Sequence, residues 1–434
     1  MRVLYLCHRI PYPPNKGDKL RAFYQLKAIS ARHEVDLFTL ADDAADLEYR
    51  SALSAYCQRV TVARLNRTQA RVRALSSLAT RKAATLPYFY SCELAAEIRR
   101  ALRQTSYDRI FVYCSSVAQY VVDFDDPPVL IDLVDVDSDK WRQYASVSPL
   151  PLSLIYNREA SRLREYERRI CERASCAIVS TDREARLLEQ IYDARNLHVV
   201  HNGVDTEYFK PPASEANESV PTVTFVGDMS YFPNQDAVTY FACQVLPLVR
   251  AAVPGVRFLI VGRNPTRKVL DLSRISGVEV TGGVPDVRTF LAQTHVSVAP
   301  FSIAAGIQNK ILEALAFGLP VVATSRTLQG LSEGVAAVVS KGDTPGELAS
   351  HVVQLLQNPA LRRRVGREGR MRVSAEYNWE RSMDYLCRLL EDPQHVLPGA
   401  SVQPPPGVRA AHQATTGSGS GRQIALATSP SKHS

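Results

Sequence analysis

The sequence predicts an α/β protein built from two doubly wound domains. Short apolar, β-branched runs alternate with longer amphipathic stretches in both halves of the chain. This alternation is typical of parallel sheets that are covered by helices on both faces. The 434 residues are too many for one compact core and suit two domains of roughly 200 residues each. A turn and a polar linker near the middle of the chain separate the two halves.

The first half opens with an apolar run at residues 3–7, which predicts a buried strand, and a helix with apolar positions at Leu20, Phe23 and Leu26. Further strands of the first half are predicted at residues 35–40, 60–62, 110–112, 129–133, 177–179 and 197–200. The second half repeats this plan, with strands predicted at residues 222–226, 257–261, 278–281, 296–299 and 320–323.

The domain boundary is predicted at His201-Asn202-Gly203-Val204-Asp205, because Asn-Gly is a turn dipeptide and a proline-containing polar stretch follows. The first domain then comprises residues 1–202, and the second comprises residues 203–392 and ends in a helix over about 359–390. Residues 393–434 are rich in Pro, Gly, Ser, Ala and Thr. That composition has too few apolar groups to offset the entropy of ordering, so a disordered tail is predicted.

Composition excludes several classes of protein. The net charge is +8, and residues 1–202 hold 30 basic and 25 acidic residues, which favours a negatively charged partner such as a membrane surface or a diphosphate lipid. A nucleic-acid partner is not expected, because the sequence shows no basic-aromatic binding module. The eight cysteines lack zinc-site spacing, so buried, reduced thiols are expected. No apolar run is long enough for a membrane span or a signal peptide, and a cytoplasmic location is expected.

Ligands of open α/β sheets bind beyond the carboxyl ends of the strands, so the loops there are the candidate site. The loop at residues 11–18, Pro-Tyr-Pro-Pro-Asn-Lys-Gly-Asp, contains Gly17, whose backbone can approach a substrate. The helix that follows can attract an anion with its N-terminal N–H groups. A plain proline-rich connection is the alternative interpretation.

Two loops of the second half are further candidates. Gly227 directly follows a predicted strand and lets the backbone close on a ligand. Arg263, after the next strand, can hold a phosphate through two parallel hydrogen bonds, or can be a solvated loop arginine. The Gly-x-Gly-x-x-Gly pattern of a dinucleotide site is absent from both halves, which argues against a dehydrogenase.

Residues 305–322 form the most informative segment. The strand at 296–299 leads into a loop with Gly306, then into a helix over about 308–317 that ends at Gly318. The start of that helix offers backbone donors to a diphosphate.

The side chains of this helix add a second feature. Asn309 and Glu313 are four residues apart and share one face of the helix. A carboxylate held there can accept both hydroxyls of a ribose. The alternative is that Glu313 is a surface glutamate and Lys310 its solvated neighbour.

These motifs resemble a known family over about residues 2–390. Asn309-Lys310-x-x-Glu313-Ala314-x-Ala316-x-Gly318-x-Pro320-Val321-Val322 resembles the nucleotide-sugar signature of glycosyltransferase family 4, and the segment at 201–205 resembles its interdomain hinge. Gly227 and the following Pro233-Asn234-x-Asp236-Ala237 fit as well. The runs at 6–18 and 135–141 (Asp-Val-Asp-Ser-Asp-Lys-Trp) are similar to sugar transferases of exopolysaccharide loci associated with the PEP-CTERM/exosortase system.

The resemblance implies a GT-B fold, in which two Rossmann-like domains face a cleft, with the donor on the C-terminal domain and the acceptor on the N-terminal one. It also implies sugar transfer with retention at the anomeric carbon and without a metal. Glu313 would bind the donor ribose, Gly306 and the following N–H groups the diphosphate, and Lys310, Arg263 or both would neutralise it. Gly17 would let the first loop close over the donor phosphates. The predicted donor-binding set is Gly17, Gly227, Arg263, Gly306, Asn309, Lys310 and Glu313.

The sequence departs from the family pattern at two places. Members often carry a second glutamate eight residues before the ribose-binding one, and here that position is Ala305. Many members also carry an Arg-Lys pair after the first strand of the second domain, and here that loop, residues 228–232, has no basic residue. Recognition of the donor sugar and neutralisation of its phosphates are therefore open, and Lys310 is the hypothesis for the second.

The acid or base on the acceptor side has three candidates. Asp135 and Asp137 follow the apolar strand at 129–133, and either can orient an acceptor hydroxyl. Asp137 with Ser138 can instead simply cap the next helix. His8, at the end of the first strand, is the third candidate, with a structural histidine as its alternative.

Residues 61–92 contain six basic residues and no acidic one. Leu65, Val72, Leu75 and Leu78 would form an apolar face beside them, which is typical of a helix lying on an anionic membrane surface. A solvated helix face is the alternative.

The sequence therefore predicts a retaining glycosyltransferase that moves a sugar from a nucleotide-sugar donor to a lipid-linked saccharide acceptor in exopolysaccharide biosynthesis, at the inner leaflet of the cytoplasmic membrane. A nucleotide-sugar 2-epimerase, which shares the fold and the donor-binding half, is one alternative. A non-catalytic partner protein that binds nucleotide-sugar is the other.

Overall fold

The protein was analysed as a computed structural model, which describes residues 1–14, 17–77, 80–193, 196–211, 220–304 and 306–393. Ala305 and the predicted tail beyond residue 393 lie outside the described residues. The two doubly wound domains expected from the sequence are confirmed, because the chain forms one parallel sheet of seven strands and another of six.

The first sheet has the order β3-β2-β1-β4-β5-β6-β7, with every neighbouring pair parallel. Its strands are β1 Arg2–Cys7, β2 Glu34–Ala41, β3 Arg59–Arg64, β4 Arg109–Tyr113, β5 Val129–Val134, β6 Cys176–Val179 and β7 Leu197–Val199. The helices between them are α1 Gly17–Ser30, α2 Arg50–Leu53, α3 Arg67–Ser76, α4 Thr85–Tyr88, α5 Cys92–Gln104, α6 Ser115–Ala118, α7 Asp137–Val147, α8 Leu152–Arg173 and α9 Asp182–Glu189.

The second sheet has the order β10-β9-β8-β11-β12-β13 and is also parallel. Its strands are β8 Thr222–Val226, β9 Arg257–Val261, β10 Val278–Gly282, β11 Val296–Ala299, β12 Val321–Ala323 and β13 Ser340–Lys341. The remaining helices are α10 Phe232–Tyr240, α11 Leu246–Ala252, α12 Arg267–Leu270, α13 Arg288–Leu291, α14 Asn309–Ala316, α15 Ser325–Leu328, α16 Glu333–Ala336, α17 Pro345–Gln357, α18 Pro359–Glu376 and α19 Trp379–Glu391.

Both faces of the first sheet are buried, as the continuous apolar strands predict. Along β1, Leu4 and Leu6 face one apolar core, whereas Val3 and Tyr5 face the other. Successive side chains of a strand point to opposite faces, so one strand contributes to both cores.

The last helix crosses back to the first sheet. Within the apolar core on the Val3 face lie Met383 and Leu386 of α19, and the Trp379 ring stacks on Tyr24 of α1 at 4.3 Å between centroids. The helix that the sequence assigned to the second domain thus packs in the core of the first.

One prediction about this region is wrong. The sequence predicts a single helix over about 359–390, but α18 ends at Glu376 and α19 begins at Trp379. The Asn378 side chain caps the new helix by accepting a hydrogen bond from the Arg381 N–H at 3.1 Å. A break made by an asparagine cap lacks the proline or glycine that usually marks a helix end.

Among the described residues, no helix is both long and apolar enough to cross a membrane.

Candidate functional site

The carboxyl-terminal edges of the two sheets meet at Gly306. The loop after β11 carries Gly306 against Asp135, which follows β5. A Cβ added to Gly306 would lie 1.9 Å from the Asp135 Oδ1 atom, so only glycine allows this approach. Its φ of +56° also lies in the left-handed region that glycine adopts without strain. The loop of one domain and the carboxylate of the other therefore form one site.

Helix α14 begins three residues after Gly306 and places Lys310 and Glu313 on one face. Lys310 Nζ donates to the Asn234 Oδ1 atom at 2.6 Å and lies 4.5 Å from the centroid of the Phe301 ring. The first-turn N–H groups of such a helix lie outside its own hydrogen-bond ladder and can bind an anion.

Burial shifts both titratable groups of α14 towards their neutral forms. It lowers the pKa of Lys310 to about 7, although the nearby Glu313 carboxylate opposes the shift. Burial likewise raises the pKa of Glu313 to about 7, with Lys310 opposing. A bound anion would favour the charged form of Lys310, so the charge state of this helix responds to its ligand.

The start of α14 is held by the first domain. Gly17, which the sequence placed in the first loop, is the first residue of α1, and a Cβ added to it would lie 3.3 Å from the Asn309 Nδ2 atom, so the start of α1 lies against this helix. Asn202 Nδ2 donates to Asn309 Oδ1 at 3.0 Å, and Arg21 donates to Asn202 Oδ1 at 2.9 Å. Arg21 is fully buried and also pairs with Asp132. A continuous polar chain thus links α1, β5, the segment between the sheets and α14.

The other two predicted donor residues lie in neighbouring loops. Gly227 lies against Asn234, because an added Cβ would lie 2.8 Å from the Asn234 Nδ2 atom and would displace that side chain. Arg263 Nε donates to the Asp228 Oδ2 atom at 3.0 Å. The charge of Arg263 is therefore already matched by a carboxylate of the neighbouring loop, after β8.

On the acceptor side, the charge of a residue that the sequence did not single out, Glu184 of α9, acts on Asp135. The Glu184 carboxylate accepts from the Val136 N–H at 2.6 Å and from the Gly306 N–H at 3.3 Å. Burial raises the pKa of Asp135 to about 7, and the Glu184 charge adds to the rise. Asp135 also follows Val134, a non-glycine residue with a φ of +69°. Such strain is typical of functional sites.

Asp137 has a different environment. Burial alone would raise the pKa of Asp137, but the Lys140 ammonium and the Ser115 hydroxyl outweigh burial and lower it. Lys140 Nζ donates to Asp137 Oδ1, and Ser115 Oγ donates to Asp137 Oδ2 at 2.8 Å. The His8 ring stacks on Tyr113 at 5.8 Å between centroids. Asp137 is thus a fixed carboxylate, whereas Asp135 exchanges its proton near neutral pH.

Sequence reasoning missed Glu184 and Lys140 for different reasons. Thr181 and Glu184 have the spacing of a helix cap, and Thr181 Oγ1 indeed accepts from the Glu184 N–H at 3.1 Å, which hides the role of the carboxylate. Lys140 lies inside the motif at 135–141, but nothing in the sequence pattern shows that its side chain turns towards Asp137. Across the described ranges, no three His, Cys, Asp or Glu side chains are grouped to hold a metal ion. Metal independence stays a prediction.

The basic stretch at 61–92 folds as β3, α3 and α4 rather than as one amphipathic helix. Leu65 is buried, whereas Val72 and Leu75 of α3 are exposed, and Leu78 lies outside the described residues.

Two family matches cover most of the described chain. Residues 21–203 match the Glycosyl transferase 4-like domain, and residues 220–358 match Glycosyl transferases group 1. Among curated relatives, the D-inositol 3-phosphate glycosyltransferase of Mycolicibacterium smegmatis is 28% identical over 247 residues, which is 51% of this chain and 53% of that protein. The enzyme of the same name from Mycobacterium bovis is 30% identical over 250 residues, 51% of this chain and 49% of that protein. The chain spans about half the length of these relatives.

Solved structures share the fold over most of the chain. Sucrose-phosphate synthase from Thermosynechococcus elongatus has a TM-score of 0.68 at 19% identity and covers 90% of this chain and 98% of its own. HepE of Anabaena in complex with UDP-glucose has a TM-score of 0.62 at 17% identity, with 90% and 99% covered. The expected GT-B architecture is thereby confirmed.

Proposed function

Because this chain belongs to the GT-B glycosyltransferases, with a glycosyl transferase 4-like domain followed by a group 1 domain, we propose that it transfers a sugar from a nucleotide-sugar donor with retention. The donor lies on α14 and the acceptor hydroxyl lies beside Asp135. The observation that carries this proposal is the contact between Gly306 and Asp135, since it brings the donor loop and an acceptor-side carboxylate to one point.

The donor half uses the residues of α14. Glu313 accepts the ribose hydroxyls, while the first-turn N–H groups of α14 hold the diphosphate beside Gly306, whose own N–H donates to Glu184. Lys310 neutralises the diphosphate, because its hydrogen-bond partner Asn234 is neutral, whereas Arg263 already pairs with Asp228. The bond from the anomeric carbon to the diphosphate breaks, and preorganised donors at the leaving oxygen stabilise the charge that develops there. The HepE structures, which were solved in complex with UDP and with UDP-glucose, support this donor class.

The acceptor half uses Asp135. The acceptor oxygen forms the new bond on the same face of the anomeric carbon that the diphosphate leaves, which retains the configuration, and its proton passes to the Asp135 carboxylate. A pKa near 7 suits this task at neutral pH, because a base works best when its pKa lies near the working pH. Asp137 and Lys140 form a fixed ion pair that orients the acceptor side of the site beside Asp135.

The acceptor is proposed to be a lipid-linked saccharide of exopolysaccharide assembly, reached from the inner face of the cytoplasmic membrane. The basic stretch at 61–92, which lacks acidic residues, supports an anionic surface as the partner. Transfer without a metal remains part of the proposal.

The test is a transfer assay with the full chain. UDP-, GDP- and ADP-sugars are each incubated with lipid-diphosphate-linked mono- and disaccharides, with excess EDTA in a parallel set, and products are identified by mass spectrometry and anomeric NMR. An elongated, retained product that forms equally with EDTA is expected. Turnover of UDP-GlcNAc without any acceptor would point to an epimerase. Nucleotide binding without any turnover would point to a non-catalytic partner.

A further inference from the structure

An apolar groove opens beside the acceptor half of the site. It lies between α3, α4, α7 and α8 and has a cavity volume of about 350 Å³. Its lining includes Ala74, Tyr88, Phe89, Trp141, Ile155 and Tyr156. We call it the α3–α8 groove.

The groove contacts His8, one of the candidate groups on the acceptor side, through the ring of Phe89. Phe89, which lines the groove, lies edge-on to His8 with 5.8 Å between ring centroids. Trp141, on the opposite wall, directly follows Lys140, the partner of Asp137. A molecule lying in the groove would therefore end at the acceptor side of the cleft.

The surface around the groove is unusually apolar. Val72 and Leu75 of α3 are 63% and 65% exposed. The segment that carries Ile155 exposes four more large apolar side chains, which are Val147, Leu150, Leu152 and Leu154. Exposed apolar side chains that cluster in this way mark a binding surface, whereas single ones need no explanation.

The charges around the groove are mostly positive. Segments 61–92 and 147–164 together hold nine basic residues and one acidic residue, Glu159. Glu159 is buried and accepts hydrogen bonds from the Ala84 N–H and the Thr85 N–H at 2.6 and 2.9 Å, so its charge is directed at the start of α4. Arg162 donates to the carbonyl oxygens of Ser77 and Lys82, which orient the guanidinium without cancelling its charge.

We infer that the α3–α8 groove binds the hydrocarbon chain of the acceptor. The acceptor is an amphiphile. Its phosphate head group lies beside Arg158 and Arg162, which line the groove, and its saccharide end reaches His8 and Asp135. This inference rests on the proposed function, since it specifies the acceptor of the same reaction. It also gives the exposed apolar segment at 147–155 a role that the basic stretch alone does not supply.

The probe is dodecyl phosphate below its micelle concentration, titrated into the full chain, with the fluorescence of Trp141 as the signal. The sequence has two tryptophans, and Trp379 lies in an apolar core, so a shift that disappears in Trp141→Phe reports the groove. Saturable binding is expected, and shortening the chain towards butyl phosphate should weaken it about fourfold for each buried methylene group lost. Dodecyl trimethylammonium should bind at least tenfold more weakly, because the surrounding charge repels it.

Ile155→Asp and, separately, Leu75→Asp are expected to weaken dodecyl phosphate binding at least tenfold. Leu270→Asp, an exposed leucine of the second domain, is the matched control and should bind as the parent does. Circular dichroism checks that each variant is folded. Equal binding by parent and Ile155→Asp overturns the inference. Binding only to anionic vesicles, with none to monomeric dodecyl phosphate, also overturns it in favour of a flat membrane-docking surface.

UDP binding is measured on the same samples by thermal shift, so the two proposals fail separately. If UDP still raises Tm but dodecyl phosphate does not bind, the groove is not the site of the hydrocarbon chain and the transferase proposal stays intact. Dodecyl phosphate binding without any nucleotide shift would count against the donor site instead.

Discussion

The two walls of the cleft are built differently. The acceptor wall is made of charged side chains that are already paired, such as Asp137 with Lys140 and Arg183 with Asp139. The donor wall is made of glycine backbone and one helix, on which Lys310 and Glu313 both have pKa values near 7. Charges on the acceptor wall are thus fixed before any ligand binds, whereas those on the donor wall depend on the ligand. Asp135 stands apart on its own wall, because burial and Glu184 raise its pKa to about 7.

Replacing Asp135 tests the exception on the acceptor wall and should have the largest effect. Asp135→Asn keeps the shape but cannot take a proton, so kcat should fall about 1,000-fold. In the parent, kcat should rise with pH through about 7, and the variant should lose this dependence. Asp125→Asn, an exposed carboxylate of the same domain, is the control.

The same variant carries a stability prediction of definite sign. The folded pKa of Asp135 is raised, so the folded state holds its proton more tightly and stability falls as pH rises from about 4 to about 7. Asp135→Asn should therefore have a Tm at pH 8 at least equal to that of the parent. A variant that is inactive and also much less stable at pH 8 would indicate a structural role.

Gly306→Ala removes the close approach of the two walls. The added methyl group would lie 1.9 Å from Asp135 Oδ1, and the φ of +56° disfavours alanine. Displacing the loop by about 1 Å should lower kcat/KM about 100-fold. Gly346→Ala, where an added Cβ meets nothing within 4 Å, is the matched control and should be unaffected. Full activity of Gly306→Ala would show that the loop does not need this contact.

Glu313→Gln tests ribose recognition on the donor wall. Hydrogen bonds to a charged group contribute about 1.5–3 kcal/mol, so UDP affinity should fall roughly tenfold or more. The parent should bind UDP more tightly than 2′-deoxy-UDP, and the variant should distinguish them less. Isothermal titration measures both, with Glu368→Gln, an exposed glutamate of α18, as the control. An unchanged preference in the variant would place the ribose elsewhere.

Lys310→Met should have the smallest effect and tests the ligand-dependent charge. The diphosphate favours protonated Lys310, whose pKa is lowered to about 7 by burial, so binding of UDP-glucose takes up a proton. Parent affinity should therefore fall by up to about tenfold for each pH unit above 7. The variant should bind more weakly at pH 6.5 and show a flat profile. Lys268→Met, an exposed lysine of the same domain, should behave as the parent, and a pH slope that survives in Lys310→Met would contradict the assignment.

The contrast between the walls also explains what the sequence could reveal. The strands were predictable because buried parallel strands are continuous apolar runs, whereas the two-residue strand β13, the break at Asn378 and the packing of α19 in the core of the first domain escaped. The donor wall was predictable because its parts, Gly306 to Glu313, are consecutive in the chain. The acceptor wall was only partly predictable, because Glu184 reaches Val136 and Gly306 across separations of 48 and 122 residues.

The most direct measurement is a thermal-shift comparison of the full chain and Glu313→Gln against UDP, GDP, ADP and their glucose conjugates. A ligand that binds only the folded state raises Tm by mass action. The account predicts that one nucleotide family raises the Tm of the parent by several degrees and that Glu313→Gln loses most of this shift. No shift of the parent with any nucleotide, or an equal shift in both proteins, would contradict a donor site on α14.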